Sequence, residues 1–329
     1  MTDCMPVLVQ NSRLFILAAN TNDGIAAAVI VARSNARVSK LLFGYENESM
    51  RLLSYPAIQK TDYKKDIILL GFSPPSEEPQ NIAKILDAPS ITSMTWYDHH
   101  FWPKKTYDLI KEHCVNLQIQ NNKTMTVEIL LEKPELKDEF NRSLSKAVLL
   151  GPWKAQQPWL DWLYLFEAAR NDLFGIRNNI KPLLDGKVDF PDPDLVAAGK
   201  MFYEELASMT SQGLFQFPIC NGKYHGTLLP VPAGMSGIVR ALTSHVAEIT
   251  ESVLVLVFQD NIQKSLLFIQ PGKICELDVH ILCEALAPVL NEEHCYLWDS
   301  NSAVIDLPFK NRIEILQRIL DQLQNLKSS

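Results

Sequence analysis

No run of apolar residues in this 329-residue chain reaches the ~18–20 that a membrane-spanning helix needs. Excess positive charge is missing as well: 31 Lys and Arg face 38 Asp and Glu, a net charge of −7. That balance excludes an extended basic surface for duplex DNA, since phosphate contacts supply most of such affinity. It leaves room for a small anion in a local pocket. The six cysteines (Cys4, Cys114, Cys220, Cys275, Cys283, Cys295) form no C-x-x-C pair and no zinc-type spacing, so reduced, mostly buried thiols are expected. Met1-Thr2-Asp3-Cys4 carries an acid where a signal peptide carries positive charge, and no long apolar region follows. The expected location is cytoplasmic. No internal repeat and no low-complexity tract is found.

What is present is a chain with 47% hydrophobic residues, long enough for two domains of roughly 100–200 residues each. Leu14–Ala18 reads as a strand, Asn20-Thr21-Asn22-Asp23-Gly24 as a polar turn, and Ile25–Arg33 as a helix packed on most sides, the opening of a βαβ unit. Lys40–Tyr45 is a second strand and Glu48–Tyr55 a short helix stopped by Pro56. Asp66–Phe72 is a continuous apolar run of the central parallel type, and Ser73-Pro74-Pro75-Ser76-Glu77-Glu78 reads as a helix start with acids in its first turn. A further helix, then the strand Ile91–Tyr97, completes an alternation that implies a mostly parallel, doubly wound α/β sheet. The aromatic run Pro158–Glu167 is read as core or as a lid, with base stacking as a third option. Leu184–Pro193 has linker composition and a helix follows from Asp194 to about Met209. Beyond Gln216 the strand and helix rhythm restarts, with Tyr224–Val231 as its first strand, and closes with an amphipathic helix at Arg312–Leu326. The expected organisation is a first α/β domain at 1–185, a linker and connecting helix at 186–218, and a smaller α/β domain at 219–329.

The chemistry concentrates in Thr95-Trp96-Tyr97-Asp98-His99-His100-Phe101-Trp102. An acid and two imidazoles follow a strand at the sheet edge where open α/β sheets bind ligands. Carboxylate and imidazole together suit a divalent transition metal. The bland alternative is a capping Asp followed by two surface histidines.

With Asp98-His99-His100 closing a buried strand, the chain resembles the DHH phosphoesterase superfamily, manganese-dependent single-strand exonucleases, oligoribonucleases, dinucleotide phosphodiesterases and pyrophosphatases among them. The resemblance covers most of the chain, including the second domain. It implies that His99 binds metal, that His100 steadies a phosphate and is catalytic together with Asp98, and that Asp23 and Asp161 are further ligands, with Asp172 as the alternative to Asp161. The motifs are degenerate. Ala19 and Thr21 stand where ligands are expected in Ala19-Asn20-Thr21-Asn22-Asp23-Gly24, and Gly71 stands where an acid would bridge two ions. In the second domain the family's Gly-rich turn ending in His falls on Leu290-Asn291-Glu292-Glu293-His294, with the His but no Gly. Ligand-binding candidates are His294 and Asn22, and Pro232–Gly237 is an alternative anion turn.

A two-metal phosphoesterase must hold its ions about 3.5–4 Å apart. The ligands that remain suffice for one manganese ion at most. The expectation is therefore a DHH-type protein with lost or reduced hydrolysis that keeps a pocket for a phosphorylated small molecule, a short single-stranded nucleic acid, a protein partner or a second copy. The alternative is an active manganese-dependent phosphodiesterase or exonuclease on short oligonucleotides or dinucleotides, with Asn20, Asn22 or Asp66 replacing the missing acids.

Overall fold

The computed structural model describes residues 12–60, 62–75, 78–113, 115–120, 122–123, 125–170, 172–231, 239–259, 264–272, 279–286, 288, 295–299, 302–308 and 310–326. The chain divides into two compact units, Met1–Phe202 and Tyr203–Ser329.

The first unit opens with β1 (Arg13–Ala19), α1 (Asn22–Arg33), β2 (Val38–Gly44), α2 (Ser49–Leu53), α3 (Pro56–Gln59), β3 (Lys65–Leu70), α4 (Pro79–Leu86), β4 (Ile91–Asp98), α5 (Lys104–Glu112) and β5 (Val115–Ile119). Helices α6 (Thr126–Leu130), α7 (Glu139–Leu150), α8 (Trp159–Ala169), α9 (Ile176–Asn179), α10 (Lys181–Leu184) and α11 (Pro193–Gly213) follow, the last running across the division. The strands form a five-stranded sheet in the order β2-β1-β3-β4-β5, every pair parallel.

Alternation along the strands explains why the sheet is covered on both faces. Leu14, Ile16 and Ala18 of β1 join Ile68 and Leu70 of β3 in one core with α1, α7 and α8. Phe15, Leu17 and Ala19 join Ile67, Leu69 and Trp96 in the other, under α2, α4 and α5. Helix α1 is buried from Asp23 to Val31, packed by β1 and by α6, α7, α8 and α10. A helix apolar on every side needs such a surround, and each of its Ile and Val side chains stabilises the fold by roughly 1.5–3 kcal/mol on burial. The aromatic run is core: Trp162, Leu163, Leu165 and Phe166 of α8 are buried.

The second unit contains β6 (Phe215–Ile219), β7 (Tyr224–Val231), α12 (Val239–Ile249), β8 (Leu254–Gln259), β9 (Lys264–Pro271), α13 (Val279–Leu286), β10 (Cys295–Asp299), β11 (Ser302–Pro308) and α14 (Arg312–Gln324). Its six-stranded sheet, in the order β10-β11-β9-β8-β7-β6, is antiparallel except for the β7–β8 pair. Leu316, Ile319 and Leu323 form the apolar stripe of α14 that packs with Leu254, Leu256 and Ile305. The α/β class, the doubly wound parallel sheet and a second, smaller α/β unit are as the sequence implies.

Three local expectations are corrected. The helix read at Ser73–Glu78 begins only at Pro79, with Glu78 as a cap that makes no side-chain bond. Proline at the first helical position is favoured because that N–H has no partner to lose. Strand β6 went unread because Pro218 interrupts its apolar pattern. It lies at the sheet's edge, where a missing donor is tolerated. The four-residue helices α9 and α10 precede the linker-like stretch, in a segment where no element was read.

Candidate functional site

The sheet order places a topological switch between β1 and β3, with β4 beside it. Ligands in open α/β sheets bind outside the carboxyl ends of strands at such a switch. Three turns converge there. After β1, Thr21 caps α1 by accepting the Gly24 amide at 3.0 Å, and Asp23 sits in the first helical turn. Gly24 is required by close approach, since a Cβ would stand 2.2 Å from the Ala19 carbonyl oxygen. After β3, Gly71 adopts φ +69°. An added Cβ there would point at Thr126 Oγ1 and Asp23 Oδ2, 3.4 and 3.7 Å away. Asp98 ends β4 and His99 and His100 follow it, all buried, which overturns the reading of two surface histidines.

Asp98 is saturated. Its Oδ1 lies 2.5 Å from His100 Nδ1 and its Oδ2 accepts the Trp102 indole N–H at 2.7 Å. Trp102 is itself fixed edge-on against Trp96, ring centroids 4.9 Å apart. The second ring nitrogen of His100 meets Glu46 Oε1 at 2.9 Å, an ion-pair contact lying off the ideal hydrogen-bond line. Burial disfavours the imidazolium, but Asp98 and Glu46 outweigh it, and the His100 pKa is pushed up to about 10.

Asp23 is equally committed. Its Oδ2 accepts the Thr126 amide at 2.9 Å and its Oδ1 the Val127 amide at 3.0 Å. A carboxylate on the first amides of a helix supplies acceptors for donors that have none within the helix. His99 Nδ1 lies 3.2 Å from Thr126 Oγ1, 3.6 Å from Asp23 Oδ2 and 3.9 Å from Asp98 Oδ1. Asn20 donates from Nδ2 to the Arg170 carbonyl at 2.8 Å, and Arg170 pairs with Glu167 at 2.9 Å.

Other expected residues lie differently. Asp161 accepts from the Gln157 side chain at 2.8 Å. Asp172 accepts the Gly175 amide at 2.9 Å. Asn22 is half-buried at the start of α1. Asp66, offered as a replacement ligand, is at the opposite end of β3, bonded to the hydroxyls of Ser12 and Ser93. His294 and Pro232–Gly237 fall outside the described residues. Glu46 and Thr126 carry no sequence signal, because each reaches the site from a loop or helix end distant in the chain.

No protein-family model matches the sequence, and no curated protein does. Solved structures do. The DHH domain of a member of the s1p family of ribosomal proteins is similar with a TM-score of 0.60 at 12% identity, over 96% of this chain and 88% of that one. The chain has the DHH fold. RecJ from Thermus thermophilus, solved in complex with Mn2+, is similar with a TM-score of 0.51 at 12% identity, over 97% of this chain and 53% of that chain.

Among the described residues of this DHH-fold chain, Asp98, His99 and His100 form the group whose ligand atoms all lie within 4.8 Å of one another, a group that could hold a metal ion. The donors do not fit a two-ion centre. Gly71 and Ala19 offer no ligand atom and the Thr21 hydroxyl is used as a cap. Each oxygen of Asp98 and Asp23 accepts one N–H, which orients the carboxylates and leaves each oxygen a further lone pair. No helix among the described residues is long and apolar enough to cross a membrane.

Proposed function

We propose that this chain is a phosphoesterase-fold protein in which metal-dependent hydrolysis is lost and the crevice at the switch between β1 and β3 serves to bind a phosphorylated small molecule or a short single-stranded nucleic acid. The observation that carries this reading is the absence of a ligand side chain at Ala19 and Gly71, where β1 and β3 end beside the site. Asp23 closes the amides of α6 and Asp98 holds His100 and Trp102, so the two acids that remain also position chain. His99 and His100 then act as fixed polar walls of the crevice. The DHH fold and the crevice's place at the carboxyl edge, where open sheets take their ligands, support a phosphate-bearing ligand.

The second reading is an active phosphodiesterase with one manganese ion at His99 and Asp23. It is favoured by the close Asp-His-His group and by the fold shared with a manganese-bound RecJ. In that reading Asp161 would have to leave Gln157 to serve as a further ligand.

A hydrolysis assay on metal-stripped protein with added manganese separates the two. The panel holds short oligonucleotides, linear and cyclic dinucleotides and pyrophosphate, with His99→Ala as control. The expected result is no turnover, together with thermal stabilisation by a phosphorylated member of the panel. Manganese-dependent turnover lost in His99→Ala would overturn the proposed loss of catalysis.

A further inference from the structure

Two stretches of the first unit combine exposed apolar side chains with charge, and the two charges are opposite in sign. Residues 141–154 carry Arg142, Lys146 and Lys154 and no acid. Residues 185–202 carry Asp185, Asp189, Asp192 and Asp194 against Lys187 and Lys200.

The helical repeat decides which of these groups meet solvent. On α7, Leu144, Ala147 and Val148 turn into the core, so Arg142, Lys146 and Leu149 lie together on the opposite side with Leu150 beside them. Leu149 is 43% exposed and Leu150 38%. The acidic stretch holds Phe190 at 67% and, on α11, Met201 at 69% exposed. Asp194 lies two helical turns before Met201 on the same side of α11. Apolar side chains scattered singly need no explanation, whereas clusters rimmed by charge mark protein contacts.

The charges of these faces are not used within the chain. Arg142, Lys146, Asp189 and Asp194 are exposed, and their side chains make no ion pair among the described residues. Asp192 serves locally, its Oδ1 accepting the Asp194 and Leu195 amides at the start of α11. Lys154 and Lys200 have partners of their own. Both helices are seated on α8: α7 packs along it, and Gly199 of α11 lies against the Tyr164 carbonyl. Faces held on rigid chain lose little freedom when they associate.

We propose that the basic face of α7 in one copy of this chain receives the acidic start of α11 in a second copy, twice, about a two-fold axis. The occupant is a second copy because each face finds its opposite charge on the same chain. A two-fold uses both faces of both copies and closes, whereas head-to-tail use would leave one of each open and grow. Arg142 and Lys146 against Asp189 and Asp194 set orientation, and the four apolar side chains supply the dry contact. Nothing in this assembly depends on what the crevice binds.

Sedimentation velocity on the full chain over a wide range of concentration reads the assembly directly. The dimer should grow with concentration and recede with added salt, which screens exposed charges. Inverting the basic face, Arg142→Glu with Lys146→Glu, should weaken self-association about a hundredfold, since like charges then meet. Inverting the acidic face, Asp189→Lys with Asp194→Lys, should do the same. Mixed in equal amounts, the two variants should form a dimer again, because one contact then joins two inverted faces and the other two native ones. Misfolded chains could not recover in this way. Should a double inversion fail to fold, Lys146→Glu and Asp194→Lys alone carry the same test. A wild type that stays monomeric throughout, inverted variants that associate as wild type does, or a mixture that stays monomeric would overturn the proposal. Growth beyond a dimer would overturn the two-fold closure.

Discussion

The two ends of the first sheet both bury charge, and they do so in opposite ways. At the amino end, Lys65 is fully buried and gives its protons to the Lys60 and Tyr63 carbonyls at 2.5 and 3.3 Å, with the Tyr63 ring 4.4 Å away. Burial lowers its pKa, with Asp62 opposing and Arg13 adding to the shift. Asp66, next in sequence, is met by the hydroxyls of Ser12 and Ser93. Each charge there is satisfied by neutral dipoles close at hand. At the carboxyl end, Asp98, His100 and Glu46 satisfy one another across two turns, and Asp23 is held by a helix that begins over a hundred residues later. Dipoles that hold a charge locally make a rigid end to a strand. Charges that hold one another can exchange partners, which is what a ligand site requires.

The largest expected effect lies in that contrast. Asp98→Ala leaves His100 and the Trp102 N–H without their buried acceptor and should cost about 3–5 kcal/mol, as breaking a buried ion pair does. Asp66→Ala should cost less, about 1.5–3 kcal/mol, because the serine hydroxyls it leaves can turn to other acceptors. Urea denaturation of the two variants measures the difference. Equal losses would erase the distinction between the two ends.

A pH series sharpens it. The His100 pKa is raised from the ordinary imidazole value of about 6.5 to about 10 in the folded state. Its stabilisation is therefore complete below about pH 6.5 and is lost as pH rises toward about 10. Wild type should lose stability across that window by more than His100→Asn does, measured by denaturant midpoints on metal-free protein. Parallel slopes would mean that the imidazolium is not what joins the turns.

Smaller effects follow from the turns themselves. Asp23→Ala removes the acceptor for two α6 amides and should cost roughly 0.5–2 kcal/mol, the range for a lost helix cap. Asp23→Asn keeps an oxygen and should cost less. If Asp23 were chiefly a metal ligand, both variants would change manganese content and barely alter the metal-free melting temperature. Last, Gly71→Ala should cost about 1–2 kcal/mol for its left-handed backbone. Gly71→Asp should cost more, since its carboxylate points toward Asp23. Thermal melts of the pair without metal provide the comparison.

Much of the first sheet was legible in the sequence because it depends on local pattern. Asp66–Phe72 and Ile91–Tyr97 are apolar enough to be buried on both faces, and the polar turn before Ile25 marks where β1 passes into α1. Local reading failed where a residue's setting depends on its neighbours in space. Ser73-Pro74-Pro75 resembles a helix start but forms no helix, with Ser73 bonded to Glu46. Phe215–Ile219 is a strand only because β7 lies beside it.

The same division runs through the site. Sequence by itself determined that an acid and two imidazoles end β4, that Asp23 opens α1, and that no acid stands at Gly71, since these follow from residue type and strand ends. Only the tertiary structure decided what those groups touch. Glu46 reaches His100 across 54 positions and Asp23 reaches Thr126 across 103, and a charge's partners depend on distances of a few ångströms that sequence separation does not encode. Which N–H groups orient a carboxylate is therefore a property of the fold.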